Sequence, residues 1–567
     1  MSPRFHPGRI AVGFCPSAFV AGVCLCISML RPASSFASTP GFGPPLTLTT
    51  GTVYRVGTAS GLVAAVDAVN AAGVPATILI SNGVYVLDTW ALPITSSGVV
   101  VRSLGGNRDN VVLRGPDEGP EASLEHVFWV VAPNVTLADL SFGMCRYHGI
   151  QAHGQEPYNV AGLWIHNCRI FDCNEQFIKG TSAPDDPEGI TDGIIENCLF
   201  EFTRGWAYQA YTGGIDIHKG ANWIVRDNLF LHLRAADGMA EHAIHFWNRN
   251  TLRPQNIVVE RNLILHCDRG IGFGLSSFSG GHDGGASAIR NNIVYNDGAG
   301  PYTDVGIGLE YACNVHVDNN TVHVPYWAPV EYRFSGSSNL AFRNNLVNRP
   351  LTARDGAPAP VLAANLLYPA TNAFRDLPAG DLRLILPDAS LALDQGIALP
   401  GFADDAFGNL RPAGAAWDVG AHEYDPVSTD SDGDRLNDWA EEQAGTDPRN
   451  PASVLALLDP RSAPDGSGIF RWPSATGRRY ALSRSTNLAE GLWNPVAANL
   501  PATVPMNTYT DSTVFAPMTF FYRVQVDGSP RSPDRLTAPD ARAPQTCPAP
   551  PAPGSCRSSS RPFPAGR

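Results

Sequence analysis

Seven short stretches in the middle of the chain share one alternation of apolar and polar positions: GLWIHNCRI, GIIENCLF, NWIVRDNLF, NIVVERNLI, ASAIRNNIV, NVHVDNNTV and NLAFRNNLV. A period of two marks a short strand with one buried face. Aligned on that face, the stretches put Cys168, Cys198, Asn228, Asn262, Asn292, Asn320 and Asn345 in one column, 25 to 34 residues apart. Repeats of that length mean stacked coils. An asparagine recurring at a bend tolerates unusual backbone angles and can bond to the next coil, which predicts an internal ladder. A second alternating stretch precedes each of these: YHGIQAHG, EQFIKGT, GGIDIHKG, HAIHFWN, RGIGFGL, VGIGLEY and PVEYRFS. Two registered strands per coil, with Gly and Asn at the corners, predict a right-handed parallel β-helix. A propeller, with four strands per blade, does not fit.

The flanks extend this picture. SGLVAAVDAVNAAG (60–73) reads as an amphipathic helix that would cover the first coil and block edge pairing. Late in the chain, FRWPSATGRRYALSRSTNL and FFYRVQV alternate as strands of a small β-sandwich. The expected fold is therefore all-β: a β-helix over 38–424 with an N-terminal capping helix, an acidic linker over 425–453 and a β-sandwich over 454–527. A tail at 528–567, rich in Pro, Ser, Ala and Arg, is expected to be disordered.

At 567 residues the chain is too long for one core. A net charge of −13 argues against a nucleic-acid partner, while a local basic cleft could still bind an anionic polymer. The first 37 residues read as a secretory signal: Arg4, His6 and Arg9, then an apolar stretch, then Ser35-Phe36-Ala37. This predicts an exported protein, secreted, periplasmic or on the surface of a bacterium, with no membrane span once mature and acting as a monomer. Cys15, Cys24 and Cys26 leave with the signal, and Cys547 and Cys556 could pair in an oxidising compartment. The remaining cysteines show no zinc spacing.

Outward positions of the first strands carry the candidate chemistry. Aligned on inward apolar residues, one outward column reads Gln151, Phe177, Asp216, His245, Gly272, Gly308, Glu331. The other reads His153, Lys179, His218, Trp247, Gly274, Glu310, Arg333. The glycines suggest a bare floor between a basic end and an acidic end. Lys179 and Lys219 are the two lysines of a chain with 40 Lys plus Arg, and both fall on or beside these strands. Unlike Arg, a lysine near other cations can lose its proton and act as a base. His242 and His245 fall on opposite faces of a strand, which disfavours a zinc site. His245 is instead a candidate acid or base, with Glu241 orienting a histidine, and Trp247 offers a plate for a sugar ring.

The opening helix with ATILISNGVYVLD, and DDAFGNLRPAGAAWDVGAHEY (404–424), resemble the two ends of exported proteins of the pectate-lyase-like β-helix superfamily, a likeness spanning about 47–424. The resemblance implies a polysaccharide lyase acting on a uronic-acid polymer by β-elimination. In that reading Lys219 or Lys179 is the base, His245 or His218 assists proton transfer, and Arg269 or Arg333 holds the uronate carboxylate. His153, Asp216, Glu241, His242, Trp247, Glu310 and Glu331 line the substrate. Such families often bridge the carboxylate with calcium, which makes Asp216, Glu241 and Glu310 alternative ligands. A polygalacturonase-like hydrolase, a C5-epimerase and a glycan-binding adhesin remain open. Finally, DSDGDRLNDWAE (430–441) resembles a thrombospondin type 3 calcium repeat, with Asp430, Asp432, Asp434, Asp438 and Glu441 as ligands of a structural ion.

Overall fold

Every coil bends at a left-handed residue just before the ladder column. Asn167, Asn197, Asp227, Arg261, Asn291, Asn319 and Asn344 have φ of 48–57°. That region costs most L-residues roughly 1–2 kcal/mol and Asn or Asp least, which explains the composition of the column. The computed structural model describes residues 12–14 and 40–527, apart from 155–159, 184–188, 249–253, 278–279, 386–388, 390, 426, 428, 435, 464, 487–492 and 514–519. The bend corrects the expected count of two strands per coil. It cuts each ladder stretch in two, so the coil around Asp216 gives three strands to the main sheets, Gly213–His218, Ile224–Arg226 and Leu229–Leu231.

Among the described residues, the coils build three parallel sheets of ten, eleven and twelve strands. The ten-stranded sheet, from Leu92–Ile94 to Leu351–Arg354, carries the first stretch of every repeat and is called here the groove sheet. Its inward positions stack in register as Ile150, Ile178, Ile215, Ile244, Ile271, Ile307 and Val330. None is more than 1% exposed. Burying such a side chain is worth roughly 1.5–3 kcal/mol, so this stack fixes the register that presents the outward columns.

The ladder is present. Asn262 donates to the Val225 carbonyl at 2.9 Å and to Asn292 Oδ1 at 3.0 Å, and its own Oδ1 accepts from the Asn228 amide at 3.2 Å. The same pattern runs through Asn292, Asn320 and Asn345 and ends on Asn365. At the other end sulfur replaces the amide: the Cys168 N–H points at Cys198 Sγ, 3.4 Å away.

The predicted helix is Ala59–Ala72, capped by the Thr58 hydroxyl on the Gly61 amide and stopped by left-handed Gly73. Leu62, Ala65, Val66 and Val69 bury its inner face. Two extended segments then run along the bends. Residues 41–50 bond backward across the coils, Gly41 to the Asp227 carbonyl, Gly43 to Asn167, Leu46 to Asp139 and Thr50 to Thr77. Residues 397–420 do the same farther on, engaging Asn344, Asn319, Asn291 and Arg261.

A second compact unit holds antiparallel sheets. One joins Leu458–Ser462, Gly468–Pro473 and Met506–Asp511, and the other joins Arg479–Ser485, Asn494–Pro501 and Phe520–Val526. Phe470, Trp472, Tyr480, Leu482 and Tyr522 fill its core. Val12–Phe14, within the stretch read as a signal, pairs with Phe520–Val526. The rest of that signal, Cys15, Cys24 and Cys26, and the tail with Cys547 and Cys556, lie outside the described residues. No described helix is long and apolar enough to cross a membrane.

Candidate functional site

Register on the groove sheet places Trp129, Gln151, Lys179, Asp216, His245, Gly272, Gly308 and Glu331 in one outward row. Lys179 therefore belongs beside Asp216, two residues from its expected place, and Thr181 pairs with His153 instead. Phe177 is not outward but fully buried, packed on Phe202 at 5.0 Å between ring centroids. The slip arose because GGIDIH offers two inward isoleucines, and Ile178 lies level with Ile215 rather than Ile217.

Asp216 is the hub of the site. The Lys179 ammonium bonds its Oδ2, and His218 donates Nε2–H to the same oxygen at 3.2 Å. Trp247 donates its indole N–H to Oδ1 at 3.1 Å, and His245 Nδ1 stands 3.7 Å from that oxygen. Burial pushes the Asp216 carboxyl up, but His218, Lys179 and His245 outweigh it and hold it well below the usual range, so it is ionised. Burial also pulls Lys179 down, and the adjacent Asp216 charge outweighs this, so its net shift is upward. His218 goes the other way: desolvation exceeds the help from Asp216 and lowers it, leaving a neutral ring. Its Nδ1 is buried without a protein partner, and its ring lies 4.0 Å from that of Trp247.

The glycines do not form a bare floor. The space above Gly272 is filled by His242, whose Nε2 lies 2.7 Å from where a Cβ would be, so the His242 ring lies beside that of His245 and not on the opposite face expected from alternation. Burial, with His245 and Arg269 nearby, lowers His242 far below the ordinary histidine value. Gly274 is left-handed at φ 84°, a Cβ there would meet the Glu310 carbonyl, and its own carbonyl accepts from His245 Nε2 at 2.8 Å. A Cβ on Gly308 would press on Val305.

Other expected residues sit apart from this hub. Lys219 occupies the left-handed bend after its strand, φ 56°, and its ammonium donates to the Ala183 carbonyl at 3.2 Å. His153 shares a 2.8 Å bond with Thr181. Arg269 bridges Glu241 at 3.2 Å and Asp304 at 3.1 Å. Arg333 bonds Glu310 at 2.7 Å and Asp355 at 2.6 Å, while Glu331 pairs with Arg354 at 2.8 Å. Both arginines expected to hold substrate carboxylate thus already carry protein carboxylates. Tyr211, 52% exposed with its ring 6.0 Å from Lys179 Nζ, joins the rim of the hub. Its loop follows no repeat, so no sequence pattern marked it.

The acidic linker presents a cluster of carboxylates suited to a cation. Asp430, Asp432 and Asp434 can bring one oxygen each within 4.8 Å of the others. Asp432 Oδ2 and Asp434 Oδ2 are buried without hydrogen-bond partners. Burial and neighbouring acids raise the Asp432 carboxyl, the strain expected of anions awaiting a counter-charge. Asp438 is differently employed: its oxygens accept from Ser431 N and Oγ, at 2.8 and 2.6 Å, and from the Tyr424 hydroxyl at 3.1 Å. In the groove, by contrast, Asp216 is ringed by cationic and N–H donors, a poor setting for a metal ion.

A family profile described as a right-handed β-helix region matches residues 127–347. No curated protein matches the sequence significantly. Among solved structures, the chain is similar to ORF18 of Geobacillus virus E2, at 9% identity and a TM-score of 0.34, over 55% of this chain and 58% of that one. It is also similar to the A-module of a mannuronan C-5 epimerase from Azotobacter vinelandii (15% identity, TM-score 0.31, 55% and 89% covered). A thermostable pectate lyase matches at 11% identity and a TM-score of 0.27, with 60% and 82% covered.

Proposed function

We propose that the chain is an exported polysaccharide lyase that cleaves a uronic-acid polymer by β-elimination. The observation that carries this reading is the single ionised carboxylate of Asp216, bonded at once by Lys179, His218 and Trp247. Elimination needs a neutral base for the C5 proton, a cation for the substrate carboxylate and a donor for the departing O4. With Nε2–H committed to Asp216, the His218 lone pair at Nδ1 is the base, and because it is buried at rest the ring must shift to meet the C5 proton when the polymer binds. Lys179, kept protonated, is the cation facing the uronate, with Lys219 a second cation on the neighbouring bend. The C5–H electrons become the C4–C5 double bond as O4 leaves and takes a proton from Lys179 or His245.

A hydrolase requires two carboxylates about 5–9.5 Å apart. Glu310 lies three strands beyond the strand of Asp216, about 14 Å at the usual strand spacing, and it is bound to Arg333. That separation favours elimination. In the linker, Asp430, Asp432, Asp434 and Glu441 would hold calcium as a structural ion, with Asp438 bracing the loop rather than ligating.

The test is incubation with a panel of uronic-acid polymers, following absorbance of the new C4–C5 double bond. New reducing ends without that absorbance would overturn the lyase reading in favour of hydrolysis. A C5-epimerase would change the uronate configuration without either signal.

A further inference from the structure

Aromatic rings continue from the Asp216 hub toward the first coils. Trp129 stands in the same outward row as Lys179, and Gln151 lies between them. Trp90 meets it edge-on at 5.6 Å, and His153 lies 5.7 Å from its other side. Beneath, His126 is 5.2 Å from Trp129 and 5.3 Å from His148, which donates to the Gln176 carbonyl on the Lys179 strand. Trp90 is 46% exposed and Trp129 half-buried, while His126 and His148 are buried. Burial lowers His126 to about 4, and burial together with His126 lowers His148 to about 3, so both are uncharged supports. His126 Nδ1 is buried without a protein partner.

The far end of the groove sheet is instead charged, an ionic lattice of Arg333, Glu310, Glu331 and Arg354, with Arg354 over the exposed Trp327 ring at 5.3 Å. A strand row that is aromatic at one end and ionic at the other gives a bound chain a direction. Large exposed indoles on an outward face leave apolar area in water that a sugar ring's C–H face would cover.

We infer that Trp129, flanked by Trp90, is a sugar-stacking subsite holding the polysaccharide about 14 Å from Asp216, three strand spacings along the groove sheet. The inference rests on the reading of the Asp216 hub as a glycan-acting centre. A single sugar cannot span the two, so the subsite acts on oligomers only.

The experiment compares Trp129→Ala, Trp129→Phe and Trp90→Ala with the parent protein on a uronate polymer and on its trisaccharide. Trp129→Ala should lose at least tenfold more kcat/KM on the polymer than on the trisaccharide, and Trp129→Phe should recover most of that difference. Equal losses on both substrates, or none, would overturn the inference. Glycan binding is read separately, by affinity electrophoresis in gels containing polygalacturonate, polymannuronate or polyguluronate, using the full chain carrying Asp216→Asn. Retardation that disappears on adding Trp129→Ala or Trp90→Ala supports the subsite even if no polymer yields a double bond, in which case only the lyase reading falls. Retardation unchanged by both changes overturns the subsite. Trp90, being exposed, keeps the test valid if Trp129→Ala does not fold.

Discussion

His242 occupies the volume that a side chain on Gly272 would need, its Nε2 only 2.7 Å from the position of the missing Cβ. The His242 ring in turn lies 4.6 Å from that of His245, which faces Asp216. Gly272→Ala must therefore push a packed imidazole into the hub. Displacements near 1 Å can cost about a hundredfold in rate. The expected outcome is a fall in kcat of roughly tenfold to a hundredfold, with the circular dichroism spectrum unchanged. Full activity would show that His242 and His245 are not in the reacting constellation.

The charge states at the hub set a pH profile. His218 must be neutral to accept a proton, and its value is depressed, so activity should fall only as pH drops below the ordinary histidine midpoint of 6.5. Lys179 must stay charged, and its value is raised, so the upper limb should lie above 10.5. Asp216→Asn removes the anion that raises Lys179. The alkaline limb should then move down, together with a loss in kcat of about a hundredfold or more. A profile with an acid limb above 6.5 would exclude a neutral His218 as base.

Glu196 should govern acid stability of the early coils. It accepts from His166 at 2.9 Å, from Trp164 at 3.1 Å and from Arg226 through Nε and Nη2. Burial raises it, but His166 and Arg226 outweigh this and hold it at about 2. A carboxyl depressed on folding contributes stability above its unfolded value near 4.5, and that contribution drains away as pH falls toward 2. Glu196→Gln should cost about 2–3 kcal/mol at pH 7, tempered because Arg226 is partly exposed. Thermal melts should converge with the parent near pH 2.

The asparagine ladder predicts a large stability loss from a small change. Asn292→Ala strips the acceptor used by both the Asn262 amide and its side chain, and leaves the Val259 carbonyl short of a donor. Each buried orphan costs about 1–3 kcal/mol, so a loss of about 3 kcal/mol is expected in urea titrations. A change within 0.5 kcal/mol would mean that water replaces the amide.

Calcium should stabilise the linker independently of any turnover. At calcium a hundredfold above its Kd, one site contributes about 2.7 kcal/mol. Glu441→Gln should remove most of the melting shift between calcium and chelator, while Asp438→Asn should lower stability in both. Identical behaviour of the two variants would contradict the division of roles proposed for Glu441 and Asp438.

The coil stack was readable because burial imposes a strict period: the isoleucines and asparagines recur wherever the chain must repeat its contacts. The same reasoning stumbled on Lys179, since Ile215 and Ile217 are equally good inward partners for Ile178 and only the three-dimensional stack distinguishes them. Glycine is ambiguous for a related reason. A missing side chain at Gly272 looks like open space in sequence, yet a residue thirty positions earlier fills it. Tyr211, on a loop outside the repeats, obeys no period and left no trace. Function residues contributed by bends and loops are set by shape, which alternation does not encode.

The segment 41–50 has one further consequence, for the order of assembly. A solenoid whose coils touch only their neighbours can zip from either end and fray from either end. Here Gly41 reaches Asp227 and Leu46 reaches Asp139, so the earliest described part of the β-helix is tied to coils made far later. During synthesis that segment must wait undocked until Asp227 has emerged. Once it docks, it fastens coils that would otherwise open one by one, so the stack behaves less like a spring and more like a bound book.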